Sequence, residues 1–248
     1  MTRSSPGHSD GDGDNAEEYF RQTDYWRAWS RVPDLTADIP YALKALTAAD
    51  RTVLDIPCGR GRLARSVLAM RPDAAVVVSD VNLHMVAHAR RYVTGASGVV
   101  ASVYALPFPP GAFDVVLCHQ SFMHFSRPEA ALAELIRVAR SGVYLSVTTG
   151  RQLNTLLRRL CLLGTSDVPH WTYNVEDVRA MLPRGDLEWT IEGAFLIGRK
   201  ALRLPESTYL RLHRLSAHWQ PQWLLRRFGQ ALFVYGRRRR TEGNGPRR

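Results

Sequence analysis

The chain is poor in cysteine and in lysine, and it has no long apolar run. Three cysteines, odd in number and widely spaced through 248 residues, exclude a disulfide-built scaffold. No Cys/His spacing suggests zinc, so no metal site is expected. No stretch approaches the ~20 apolar residues of a membrane-spanning helix. The opening MTRSSPGHSDGDGDN holds nothing that would serve as a secretory signal. A cytoplasmic protein is the expectation. Internal repeats and obvious linkers are also missing. Lysine occurs only as Lys44 and Lys200, which leaves 31 of the 33 basic residues as arginine. That bias suits a GC-rich genome as readily as a binding requirement.

The net charge of +10 invites a nucleic-acid reading, but most of it is local. From Arg226 to the C-terminus there are eight arginines and one glutamate, a net +7, so the remaining 225 residues carry +3. A basic tail can bind nucleic acid or anionic lipid. It is read here as a solvated tail, with no specific nucleic-acid partner expected.

What is present is an alternation of short apolar strands and amphipathic helices. Residues 1–15 are rich in Ser, Gly and Asp and read as a disordered tail. AEEYFRQTDYWRAWSRV reads as an aromatic-bearing helix, either a lid or a staple on the domain, and YALKALTAA as a second helix. From Arg51 the strands RTVLDI, AAVVVSD, GVVASV, FDVVLC and GVYLSV alternate with the helices RLARSVLAM, NLHMVAHARRYV and PEAALAELIRVAR. This pattern predicts a parallel sheet covered on both faces. Beyond Gly150 it weakens: RQLNTLLRRLCLL, VEDVRAML and STYLRLHRLSAHWQ read as helices. LEWTIEGAFLIGRKALRL reads as a strand pair or one bent strand, and QALFVYG as the last strand. One domain over residues 16–236 follows, with a binding core at about 50–148, a C-terminal elaboration at about 150–230 and a basic tail at 237–248.

The most informative stretch is VLDIPCGRGRLA. A strand ends in Asp55, a turn carries Gly59 and Gly61, and a helix begins near Arg62. Glycines let backbone approach a ligand, and a helix start offers free N–H groups. In a doubly wound sheet this loop sits where ligands bind. Gly59 to Ala64 satisfies G-x-G-x-x-A, the nicotinamide-dinucleotide fingerprint. Against that stand the carboxylate four residues before the first glycine and the fifty residues preceding the first strand. Asp55 suits an ammonium group better than a pyrophosphate. Asp80 ends the second strand 19 residues after Gly61, where a carboxylate can accept both hydroxyls of a ribose; it could equally cap the next helix.

VLDIPCGRGRLA, SDVNLHMVAHAR, ALPFPPGAFDVVLCHQSFMHF and PEAALAELIRVAR together resemble the ordered motifs of class I S-adenosylmethionine-dependent methyltransferases. The branch they are most similar to includes the ubiquinone and menaquinone biosynthesis enzymes. The resemblance covers residues 50 to 148 and implies a Rossmann-like α/β fold. It also implies a mainly parallel seven-stranded sheet whose last strand is antiparallel. It implies S-adenosylmethionine as cofactor, with Asp55, Pro57, Cys58, Gly59 and Gly61 around the methionine part and Asp80 on the ribose. Val81 and Met85 would flank the adenine, Ser102 and Val103 would lie at its edge, and His119 beneath the sulfonium. Pro57 stands where the family has its first glycine, and Ser102 where it often has an acidic residue. His124, His119 and Tyr173 are the catalytic candidates, near Tyr104, His170 and Trp171. The expected reaction is methyl transfer to an oxygen or nitrogen of a small organic acceptor, as in secondary metabolism. A lipid quinone or RNA acceptor, or a catalytically silent cofactor-binding protein, are the alternatives.

Overall fold

The computed structural model describes residues 15–29, 38–149, 171–195 and 221–239, with the isolated positions 208 and 211. Its centre is one seven-stranded sheet in the order β3-β2-β1-β4-β5-β7-β6. The strands are β1 (Thr52–Asp55), β2 (Ala75–Asp80), β3 (Ser97–Val100), β4 (Phe113–Cys118), β5 (Ala139–Thr148), β6 (Leu187–Ala194) and β7 (Ala231–Arg238). The first five pair in parallel, and β7 runs antiparallel to both β5 and β6. The Rossmann-like α/β expectation, with seven strands and an antiparallel last one, is met.

The strand sequences explain the layering. Val53, Val76, Val78, Val115 and Leu117 face one helical layer. Their neighbours Leu54, Ile56, Val116 and Cys118 face the other. Side chains alternate along a strand, so a run apolar at every position belongs to a sheet buried on both faces. On the first face pack α3 (Ile39–Leu43), α4 (Arg62–Met70) and α5 (Leu83–Tyr92). On the second lie α6 (Pro128–Val138) and α7 (Val175–Met181). In α6, Pro128 opens the helix, and Ala131, Leu132, Leu135 and Val138 form a buried stripe at helical spacing. The capping box of Asn174 and Asp177 fixes the start of α7. A further helix, α8 (Gln222–Phe228), precedes β7.

Several boundaries differ from the sequence reading. The aromatic N-terminal segment forms two helices, α1 (Asn15–Arg21) and α2 (Thr23–Trp29), rather than one. α3 ends at Leu43, and the strand predicted as GVVASV stops at Val100. Ala139 and Arg140, read as the end of a helix, begin β5: Ala139 pairs with Phe113 of β4, and Arg140 falls in the register shift before the Val115–Gly142 pair. Arg237 and Arg238, assigned to the basic tail, lie in β7. Arg237 donates to Asp50 from both terminal nitrogens, at 3.2 and 2.6 Å, and also to the Ala45 carbonyl. Its path over the sheet crosses Gly142, where a Cβ would come within 2.9 Å of Arg237 Cδ. The helix expected at RQLNTLLRRLCLL, the end of the strand pair after Phe195 and His170 lie outside the described residues, as do residues 1–14; of STYLRLHRLSAHWQ only Thr208 and Arg211 are described, both helical.

Candidate functional site

β1 and β4 are neighbours in the sheet although the chain leaves β1 toward β2 and β3 on the other side. Reversal of strand order at this point opens a crevice beyond the C-terminal strand ends. The glycine loop fills its floor. Asp55 ends β1, and the Ile56 N–H donates to the Leu117 carbonyl at 2.9 Å. The Ile56–Pro57 peptide is cis. The Cys58 N–H then donates to the Ser79 carbonyl at 2.7 Å, tying the loop to the end of β2.

The two glycines do different work. Gly59 has φ +50°, and a Cβ there would meet nothing within 4 Å, so its backbone conformation alone demands glycine. Gly61 has φ +84° and precedes the first turn of α4. A Cβ on it would lie 2.8 Å from Val93 Cγ2 and 3.0 Å from Ala89 Cβ, so Gly61 lets α4 and α5 approach each other.

Asp80 is buried, and each of its oxygens already accepts a backbone N–H. Oδ1 takes that of Asn82 and Oδ2 that of Gly59, both at 3.0 Å. The helix-capping role open to Asp80 in the sequence falls to Asn82, whose Oδ1 accepts from His84 N at 2.9 Å and Met85 N at 3.4 Å. Asp55 accepts the Ala64 N–H at 3.1 Å. Burial pushes the Asp55 carboxyl up to about 8, against the opposing Ala64 N–H and Arg62 charge. Burial also raises Asp80 to about 6, although the N–H groups of Asn82, Gly59 and Val81 favour its ionised form.

A pocket of about 1250 Å³, counted to its open mouth, extends along these strand ends. Of the residues singled out in the sequence, it gathers Asp55, Pro57, Cys58, Gly59, Asp80, Val81, Met85, Val103, His119 and His124. Gly61, Ser102 and Tyr173 are not on its wall. Gly61 is committed to helix packing. Ser102 stands behind Glu17, to which its hydroxyl donates at 2.7 Å. Tyr173 is 5% exposed within the core, its ring centroid 6.0 Å from that of Phe122.

Sequence reasoning missed a polar network at the inner end of the pocket. Asp38 precedes α3 without capping it. One of its oxygens accepts from Gln120 Nε2, and the other lies 3.3 Å from His119 Nε2, in a contact too poorly aligned to be a good hydrogen bond. His119 Nδ1 is 3.1 Å from the Tyr144 hydroxyl. Arg62 donates to Gln120 Oε1 at 3.1 Å and approaches Asp38 to 3.9 Å. Burial works to raise the Asp38 carboxyl, but His119 and Arg62 outweigh it and hold the group below the ordinary range. The lone hint in the sequence was Pro40, which marks a helix start just after Asp38.

The N-terminal helices close the outer side. Asn82 Nδ2 donates to the carbonyls of Phe20 at 2.8 Å and Gln22 at 3.1 Å. Trp26 stacks on His84 with centroids 6.5 Å apart, and Phe20 lies 5.1 Å from His124. Glu17, Phe20 and Tyr25 line the pocket, while Trp26 packs against α5 through His84. Among the described residues no group of His, Cys, Asp and Glu is arranged to hold a metal, and no helix is long and apolar enough to cross a membrane.

Residues 54–147 match the family model of the methyltransferase domain. An uncharacterized methyltransferase of Schizosaccharomyces pombe is 30% identical over 139 residues, 52% of this chain and 48% of that protein. The demethylmenaquinone methyltransferase of Thermus thermophilus is 40% identical over 102 residues, 40% of this chain and 46% of that one. The chain thus spans about half the length of the curated relatives it matches. Among solved structures, the magnesium protoporphyrin IX methyltransferase of Synechocystis superposes with a TM-score of 0.61 at 16% identity, over 91% of this chain and 99% of that one. That likeness shows the fold.

Proposed function

We propose that the protein is a class I S-adenosylmethionine-dependent methyltransferase that methylates an oxygen or nitrogen of a small organic acceptor, a reading supported by the match of residues 54–147 to the methyltransferase-domain family model. The observation that carries the reading is the pair of buried carboxylates, Asp55 and Asp80, on either side of the Gly59 turn and opening into one pocket. The residues fit the cofactor. The Asp80 carboxylate can take a ribose diol, Asp55 an ammonium group, and the space beside Gly59 allows close approach of the ligand to the loop.

When bound, S-adenosylmethionine supplies a methyl group on a good leaving group. The chain's task is then alignment and exclusion of water. Met85, Val103, Phe20 and Phe125 wall the pocket with apolar surface. His119, whose Nδ1 meets the Tyr144 hydroxyl and whose Nε2 faces Asp38, would lie against the methyl-bearing end of the cofactor. His124, in the 3-10 turn Phe122–His124, is the residue to accept a proton from a hydroxyl acceptor. A quinone-like acceptor is a second reading, favoured by the 40% identity to the demethylmenaquinone enzyme.

Thermal denaturation tests the cofactor. S-adenosylmethionine or S-adenosylhomocysteine at ~100 times Kd should stabilise the fold by ~2.7 kcal/mol, or roughly 5–10 °C. NAD should have no effect. A rise with NAD alone would overturn the proposal.

Affinity should also follow pH. With Asp55 at about 8 and Asp80 at about 6, both above the ordinary 3.8, the ligand-free fold retains protons that the unfolded chain has lost. Its stability therefore falls as pH rises from about 4 to about 8. An ammonium ligand needs ionised Asp55, so affinity for S-adenosylmethionine should rise from pH 6 toward pH 8, with proton release on binding. Calorimetry in buffers of different ionisation enthalpy reads both quantities. Flat affinity without proton release would remove Asp55 from the ammonium site.

A further inference from the structure

We infer that Glu17, on α1, recognises the base of the bound nucleoside by accepting from the exocyclic amino group of a 6-aminopurine. The inference rests on the cofactor reading above and adds to it a residue from outside the matched domain.

The sheet order gives the direction. Asp80 ends β2, with β1 on one side and β3 on the other. Toward β1 and β4 the pocket wall is polar, with Asp55, Arg62, His119 and Gln120. Toward β3 it is apolar, with Val81, Met85, Ala101 and Val103. A ribose held on Asp80 therefore sends its charged substituent inward and its flat base outward. An apolar slot holds a ring by its faces but cannot satisfy the polar atoms on its edge, which cost free energy if buried unpaired.

Ser102 was the candidate for that edge, but it is not on the pocket wall, whereas Glu17 is. The Ser102 hydroxyl is already engaged at both ends. It donates to Glu17 Oε2 at 2.7 Å and accepts the Tyr104 N–H at 3.1 Å. Ser102 is thus the support that positions Glu17. Glu17 Oε1 accepts from Arg21, one turn along α1. An ionised carboxylate offers about four lone-pair directions, so two remain for a ligand. The side chain is 24% exposed, open enough to meet a ligand yet held in place. The Asn82 side chain fixes the backbone of the same segment at Phe20 and Gln22. A carboxylate only accepts, so it matches an amino group and opposes a carbonyl at the same ring position.

Calorimetry with S-adenosylhomocysteine and its 6-oxo counterpart S-inosylhomocysteine tests the assignment. The wild-type protein should bind the amino form about 100-fold more tightly, as expected for one charge-assisted hydrogen bond lost and one acceptor left facing another. Glu17→Gln, whose amide can also donate, should bring the ratio below about tenfold. Ser102→Ala, which frees Glu17 without removing it, should give an intermediate ratio. Equal wild-type affinities, or a Glu17→Gln protein that loses both nucleosides in proportion, would overturn the inference; the second result would leave Glu17 as a helix anchor only. If the wild-type protein binds neither nucleoside, the cofactor reading itself fails, and this inference falls with it.

Discussion

Asp80→Ala is expected to abolish detectable binding of S-adenosylmethionine while leaving a folded protein. Two losses combine. The ribose loses its acceptor, and the N–H groups of Gly59 and Asn82 lose the oxygens that now hold them at 3.0 Å. Each charge-assisted hydrogen bond contributes about 1.5–3 kcal/mol, so two to the diol account for a loss of roughly 100-fold to 10,000-fold. Release of the Gly59 N–H also loosens the turn that passes beneath the ligand. The fold itself should lose little, because a carboxyl raised by burial to about 6 is already costly to keep ionised. Calorimetry on a protein whose melting temperature is near that of wild type is the measurement. Unchanged affinity would refute the site described here.

The second large effect concerns Gly61 and separates the two glycines of the loop. Gly61→Ala should destabilise the protein by ~2–4 kcal/mol, combining a left-handed backbone with overpacking between α4 and α5. The melting temperature should fall by roughly 5–15 °C. The cause is local: the new Cβ meets Val93 Cγ2 at 2.8 Å and the Ala89 backbone at 3.1 Å, and both belong to the packed face of the sheet. Gly59→Ala has free space around its Cβ, so it carries the ~1–2 kcal/mol of backbone strain alone. It should instead weaken cofactor affinity, because the added methyl enters the space beside the pocket. Denaturant titration of the two variants, followed by binding, checks the contrast. Equal stabilities would mean that Gly61 does not set the helix spacing.

The candidate site was legible in the sequence where chemistry and backbone geometry coincide. Asp55, Gly59 and Asp80 stand out because each ends a strand or turns a loop, and the rows of β-branched residues make those strand ends visible. Ser102 and Tyr173 show the limit. Both lie at the right place along the chain, yet one stands behind another side chain and the other is packed in the core. Only the partner decides the role. For Ser102 that partner is Glu17, 85 residues away.

By itself the sequence determined the alternating strands and helices, the parallel core and the glycine turn beneath a carboxylate. These follow from local periodicity and from the backbone demands of single residues, which hold whatever the rest of the chain does. The tertiary structure alone decided the placing of β7 between β5 and β6, which carries Arg237 onto Asp50 across 187 residues. It alone joined Asp38 to His119 and Tyr144, and Glu17 to the pocket. Polar partners leave no periodic trace in a sequence. A buried carboxylate or imidazole needs some partner, but which one is set by the faces that come together when apolar layers pack.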